Sequence, residues 1–354
     1  MSDRTERPLH FVVPDTIDDD ARVSGGNVYD QHIRDDLIAR GRAVTMVPIA
    51  DGREWQAAQA LALVQDGALA LVDGLIVARA PGALADHSER LRLVVLAHTA
   101  DFEGEALRAA ERVIATSFWT RAELIERDLA EPHRIVVAQP GADRAPATRP
   151  SASGGRLLCV AAVAPHKGQD LLIRALAGLS DDEAWSCRIV GSLTVAPDFV
   201  PALTAVVESA GLSRRVTFTG VLTGQSLAAE YTRADLLIVP SRSESYGMVV
   251  SEAFARGIPV LATGAGGLPE AVGKGGAGIV VPPEDPWAIT VVLRQWLESP
   301  ARRDALKVEA MRARASIRPW SRTGAIITAT LDDVVQTGSA RSTAPIGQQG
   351  VGDA

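Results

Sequence analysis

The sequence predicts an α/β protein made of two doubly wound, parallel-sheet domains that face one another. Three observations carry that expectation. Short apolar runs alternate with helix-like patterns along nearly the whole chain, as in a parallel sheet covered by helices. A stretch rich in proline, serine and glycine, residues 145–155, interrupts the alternation once, after which it restarts. Charged residues and glycines gather just after apolar runs, at the strand ends where open parallel sheets bind ligands.

In the first half the apolar runs are 9–13, 43–47, 69–72, 93–96, 113–115 and 135–137, with helix candidates at 29–40 and 119–127 between them. Residues 145–155 read as a linker. The second set of runs is 156–163, 187–190, 216–219, 236–239, 260–262 and 279–281. Helical patterns follow at 287–298, 301–317 and 321–335, and the polar, glycine-rich residues 336–354 read as a disordered tail.

A chain of 354 residues is long enough for two domains with separate cores. Its net charge of -7 argues against a nucleic-acid partner, whose footprint would be basic. No apolar run approaches the roughly 20 residues of a membrane span, and residues 1–7 lack an apolar signal core, so a cytoplasmic location is expected. The basic stretch 301–318 reads as a solvated helix face diluted by Asp304 and Glu309, with peripheral contact at the inner face of the membrane as the alternative. Cys159 and Cys187 fall in apolar runs and read as buried thiols rather than a disulfide or metal site.

The chemistry is concentrated in residues 239–260. The apolar run 235–239 ends in Pro240 and Ser241, a short loop carries Glu244, and Gly247 opens a helix whose second turn holds Glu252. Both carboxylates therefore reach one crevice beside a helix start, where free N–H groups attract phosphate. A ligand with a phosphate and a polyol suits this arrangement, and a nucleotide sugar is such a ligand. A glycosidase pair fits poorly, because its carboxyls must flank the scissile bond. Lys167 stands at another strand-to-helix junction in a chain with only three lysines, which suggests a point charge aimed at phosphate. Gly25 and Gly26 allow backbone amides to approach a phosphate. His98 closes the run 93–96 at a strand's carboxyl end. Asp18, Asp19 and Asp20 read as a solvated loop rather than metal ligands.

Residues 239–260 resemble the E-x7-E signature of retaining glycosyltransferases of family 4. The resemblance extends through Gly264-Ala-Gly-Gly-Leu-Pro-Glu270, Val160-Ala-Ala-Val-Ala-Pro-His-Lys-Gly168, Val113-Ile-Ala-Thr-Ser117 and Gly25-Gly26-Asn27, in family order, over about residues 8–335. It implies the GT-B architecture: a first domain at 1–148, a nucleotide-sugar domain at 149–319, and a helix at 320–335 returning to the first domain. It also implies roles. Glu244 and His98 would contact the donor sugar, Glu252 the ribose, and Lys167 the diphosphate. The amides of Tyr246, Gly247 and Met248 would approach sugar and diphosphate, the end of the strand at Val221 would meet the base, and Glu270 would line the pocket. Ser117 reads as a helix cap. No metal or cofactor is implied. The family has an arginine where this chain has Ala162, and His166 or Arg242 is the expected substitute.

The implied activity is transfer of a hexose from a UDP- or GDP-linked donor to an unidentified acceptor, a glycan, lipid or small molecule, with retention. The rivals are a nucleotide-sugar epimerase of the same fold and a non-catalytic nucleotide-sugar binding module. Incubation with donor alone separates an epimerase, which makes a new sugar without any acceptor.

Overall fold

The structure is a computed structural model that describes residues 8–50, 53–102, 107–179 and 184–342, with side chains to residue 337. The first sheet contains β1 (Leu9–Pro14), β2 (Val44–Ile49), β3 (Leu69–Asp73), β4 (Arg92–Ala97), β5 (Arg112–Ala115) and β6 (Ile135–Val137), in the order β2-β1-β3-β4-β5-β6. Around it lie α1 (Gly25–Ala39), α2 (Glu54–Ala62), α3 (Gly74–Arg79), α4 (Pro81–His87) and α5 (Phe118–Glu126). The second sheet contains β7 (Arg156–Val160), β8 (Ser186–Val190), β9 (Val216–Gly220), β10 (Leu236–Val239), β11 (Val260–Thr263) and β12 (Gly278–Val281), in the order β12-β11-β10-β7-β8-β9. Its helices are α6 (Gln169–Ala177), α7 (Phe199–Ser209), α8 (Gly224–Arg233), α9 (Met248–Phe254), α10 (Leu268–Val272), α11 (Pro286–Glu298) and α12 (Pro300–Ala315). The last helix, α13, runs over Trp320–Ser342. Every strand pairing is parallel.

The strands form where the apolar runs are because helices cover both faces of each sheet, so both sets of alternating side chains are buried. In the first sheet Val12, Val72 and Val95 enter the core shared with α2 and α4, while Phe11, Leu71 and Val94 enter the core shared with α1. In the second, Leu157 and Cys159 face one core and Leu158 the other. Both cysteines are buried and free, and burial pushes the Cys159 thiol up to about 12.

Each sheet has one place where neighbouring strands send their connections to opposite sides. In the first sheet it lies between β1 and β3, in the second between β7 and β10. The crevice beyond the carboxyl ends of such strands is the ordinary ligand site of this kind of sheet.

α13 crosses back to the first domain. Ile327, Leu331 and Val334 are fully buried in the core beside α1, each side chain contributing about 1.5–3 kcal/mol by its removal from water. Arg42 pairs with Asp332, Arg112 with Asp333 at 2.7 Å, and Trp320 stacks on His32 with ring centroids 4.1 Å apart. The two chain crossings touch where Ala142 N–H donates to the Arg318 carbonyl at 2.9 Å.

Three local expectations change. α1 begins at Gly25 rather than near residue 29, because the Ser24 hydroxyl accepts from Asn27 N–H and caps the helix ahead of two weak helix formers. The expected linker at 145–155 is strapped to the second domain. Thr148 N–H and Arg149 N–H donate to the Arg256 and Thr232 carbonyls, and Asp235 accepts from Ser151 N–H and Arg156 N–H. α13 continues to Ser342, past the expected end at 335, and residues 343–354 of the expected tail lie outside the described residues.

Candidate active site

The loops after β7 and β10 meet at the second sheet's crevice. Gly168 holds them together: at φ +69° its amide is in the left-handed region, and a Cβ there would fall 2.0 Å from the Pro240 carbonyl oxygen. Lys167, on one loop, and Glu244, on the other, form an ion pair with Nζ 2.7 Å from Oε2. Their side chains keep 22% and 18% exposure, so the pair lines a cleft rather than a core. Gly247, at φ +94°, then turns the chain into α9 as its N-cap.

Glu252 lies in the second turn of α9 and is half-buried. One carboxylate oxygen, Oε2, accepts from the buried Tyr231 hydroxyl at 2.6 Å. Burial and then the Glu252 charge push the Tyr231 phenol well above its ordinary range, which keeps it a donor. Arg256 covers the Tyr231 ring at 4.5 Å, and its Nη1 donates to the Glu252 carbonyl. Met248 packs against the first domain's core, so α9 starts at the domain boundary. Tyr246 borders a cavity of about 430 Å³ with Ser251, Phe254 and Arg318. Val221 follows β9, two strands from β7 at the sheet edge, and stands apart from the Lys167–Glu244 pair.

In the structure the two expected substitutes for a cation at Ala162 are drawn elsewhere or disfavoured as cations. Arg242 is engaged on every side: it pairs with both oxygens of Asp170 at 2.6 and 2.8 Å, with Glu284 at 2.6 Å, and donates to the Pro165 carbonyl. His166 is shifted down by burial and by the Lys167 charge, so its ring is neutral near pH 7. Lys167 is the cation that these two loops bring to the crevice, and it is paired with Glu244.

In the first domain, Gly25 and Gly26 form the first turn of α1, and their amides have no acceptor among the described residues. The His98 ring lies against Gly26, its Cδ2 3.4 Å from where a Cβ there would sit. His98 Nε2 is 2.8 Å from Asp30 Oδ1 and 3.5 Å from Asp73 Oδ2, and the Tyr29 ring meets it edge-on. Burial alone would lower the His98 pKa, but the Asp30 and Asp73 carboxyls together outweigh it and hold it at about 9. Burial, then the Asp30 charge, pushes the Asp73 carboxyl well above its ordinary range. Among the described residues these three are the group whose ligand atoms, all within 4.8 Å, could reach one metal ion. The 2.8 Å contact uses His98 Nε2 on a hydrogen bond instead. Asp18 pairs with Arg34 and Asp19 caps Ala21 N–H, so that acidic loop is internally engaged.

Asp30, Asp73, Tyr231 and the true reach of Glu270 escape sequence reasoning. Asp73 carried a signal, a carboxylate closing an apolar run beside the first sheet's crevice. Asp30 carried a weaker one, an acid on the apolar stripe of α1 with Ile33 and Leu37. Glu270 reaches across the cleft. Its carboxylate accepts from Phe118 N–H and Trp119 N–H, both at 3.1 Å, and from the Gln139 side chain, whose oxygen accepts from Arg318 at 2.6 Å. With Ser117 Oγ accepting from Thr120 N–H at 2.8 Å, the start of α5 is fully capped from both domains. Glu270→Ala is expected to lower stability by about 1 kcal/mol, the usual worth of a cap, and to widen the domain arrangement. Urea unfolding and small-angle scattering check this; an unchanged radius of gyration would show that the bond does not hold the domains.

The basic stretch on α12 is partly turned inward. Arg303 donates to the Trp296 and Leu297 carbonyls and Arg314 to that of Ala145. No helix among the described residues is long and apolar enough to cross a membrane.

Two Rossmann-like sheets with their ligand crevices turned toward one cleft, joined by a helix that crosses back, define the GT-B fold. Solved glycosyltransferase structures share it. Anabaena HepE in complex with UDP and glucose has a TM-score of 0.69 at 18% identity, covering 94% of this chain and 100% of that one. Sucrose-phosphate synthase from Thermosynechococcus elongatus has a TM-score of 0.73 at 20% identity, covering 96% and 100%. Residues 149–313 match the family described as Glycosyl transferases group 1. A D-inositol 3-phosphate glycosyltransferase of Kineococcus radiotolerans is 37% identical over 259 residues, 65% of this chain and 58% of that protein. One from Catenulispora acidiphila is 30% identical over 305 residues, 80% and 66%. The matched parts span between about half and two thirds of these curated relatives. The chain belongs to the glycosyl transferases group 1.

Proposed function

We propose that this protein is a retaining glycosyltransferase of family 4, moving a hexose from a UDP- or GDP-linked donor to a hydroxyl acceptor without a metal. The observation that supports it most is the meeting of Lys167 and Glu244, from separate loops, at the crevice between β7 and β10. In this reading the diphosphate breaks the ion pair: Lys167 moves to phosphate, and Glu244 is released to accept from sugar hydroxyls. The free oxygen of Glu252 accepts from ribose while Tyr231 holds the other.

Chemistry then proceeds on one face of the sugar. The bond from C1 to the leaving phosphate oxygen breaks, the acceptor oxygen bonds to C1 from the same side, and the acceptor proton passes to the leaving phosphate. Charge develops on the diphosphate, where Lys167 and the Gly25 and Gly26 amides stabilise it. Glu244 and the ribose clamp supply positioning. The bridge from Glu270 to α5 keeps the domains close, which excludes water and suppresses donor hydrolysis.

Two facts direct the assay. The HepE structure contains UDP and glucose, which makes UDP-glucose a first donor to try, and the curated relatives are named for D-inositol 3-phosphate, which makes a phosphorylated polyol a first acceptor. Acceptor-dependent release of nucleoside diphosphate, with an α-linked product from an α-linked donor, supports the reading; an inverted product sinks the retaining mechanism. The engagement of Arg242 and the neutrality of His166 favour a second reading, a donor-binding module without turnover. It would bind the nucleotide sugar and release no product with any acceptor.

A further inference from the structure

The buried trio of Asp30, Asp73 and His98 raises a question of charge. Both aspartate side chains have no exposure, and each keeps Oδ2 without a hydrogen-bond partner among the described residues. Their other oxygens are used: Asp30 Oδ1 by His98, and Asp73 Oδ1 by Leu75 N–H at the start of α3. Two ionised carboxylates side by side in such a place would repel, and each would hold a bare oxygen away from water. One proton between the two Oδ2 atoms removes both problems.

We infer that Asp73 is held protonated and donates through Oδ2 to Asp30, and that Asp30 in turn fixes His98 as an imidazolium beside the Gly25–Gly26 amides. The trio is then neutral as a whole, which suits its burial. This inference rests on the proposed transfer reaction for its purpose. It sets the positive end of the Asp30–His98 ion pair beside the first turn of α1, in a chain that has Ala162 in place of a cation and whose Arg242 is engaged elsewhere. Asp30 and Asp73 are positioning residues, acting through His98. The charged groups facing the ring are Asp30 from α1 and Asp73 from β3; Tyr29 meets it edge-on and donates its hydroxyl to the Ala138 carbonyl. The direction of the His98 and Asp73 shifts agrees with this assignment. Because the His98 pKa is raised on folding, its contribution to stability is complete below its unfolded value near 6.5 and is lost as pH rises through about 9.

Imidazole nitrogen NMR of the full chain, with the His98 signals assigned by their loss in His98→Gln, tests it without any substrate. The expected result is a ring charged at about pH 8 in the wild type and in Asp73→Asn, whose amide can still donate to Asp30 and accept from Leu75 N–H. Asp30→Asn is expected to leave the ring neutral at that pH and to lower turnover about 100-fold. A wild-type ring that loses its proton below about pH 7, a neutral ring in Asp73→Asn, or a stoichiometric divalent metal on elemental analysis would each overturn the assignment. The wild-type titration decides even if Asp30→Asn fails to fold. Since the nitrogen shifts need no reaction, a failure here stands apart from a failure of glycosyl transfer.

Discussion

Replacing Glu244 with alanine is expected to lower kcat by about two to three orders of magnitude while the Kd for bare UDP or GDP stays level or falls. The two effects separate because Glu244 has two jobs. In the free protein its carboxylate holds Lys167 at 2.7 Å, and a diphosphate must compete for that cation. Removing the carboxylate removes the competitor, so the bare nucleotide gains. The sugar hydroxyls lose their acceptor, so the transition state suffers more than ground-state binding. Calorimetry with the bare nucleotide, set beside steady-state turnover with the full donor, reads both. An equal loss in both would move Glu244 out of the sugar site.

Lys167→Ala should behave in the opposite sense on binding. Turnover falls by a similar two to three orders of magnitude, because the leaving diphosphate loses its cation, and affinity for UDP or GDP falls about tenfold with it. The substitution also leaves Glu244 as an unpaired, mostly buried carboxylate, which costs about 1–3 kcal/mol of folding stability. Glu244→Ala, which strands the more solvated lysine, should cost less. The double variant should recover part of the stability lost by Lys167→Ala, since the two side chains are in contact and their effects are not additive. Denaturant unfolding of the three variants measures this coupling; additive losses would mean that the pair does not form in solution.

Most of the fold was legible because its strands are buried on both faces and read as plain apolar runs. β3 and β10, wholly buried, are the clearest cases. The start of α1 was not legible, because Gly25 and Gly26 are poor helix formers and the Ser24 cap outweighs them. Residues 145–155 looked like a linker by composition, and only their bonds to Asp235, Thr232 and Arg256 show otherwise.

The candidate site was half legible. Glu244 and Lys167 stand just past strand ends and Glu252 on the helix that follows one, and both placements can be read from a sequence. That Lys167 binds Glu244, 77 residues away, cannot. Arg242 looked like a spare cation because arginine carries no sign of its partners, and Asp170 and Glu284 come from other elements. His98, which closes an apolar run, could be read as a site residue, but that its Nε2 meets two buried acids, one of them 68 residues back, could not.

The central claim is that one nucleotide-sugar donor is clamped between Glu252 and the Lys167–Glu244 pair. Calorimetric titration of wild type and Glu252→Gln with UDP, GDP, ADP and their sugars tests it most directly. The account predicts that one of these nucleotides binds the wild type in the micromolar range, about 8 kcal/mol, and at least tenfold more weakly the variant, whose amide accepts less well from ribose. Equal affinity of both proteins for every nucleotide, or no binding of any of them to the wild type, would contradict it.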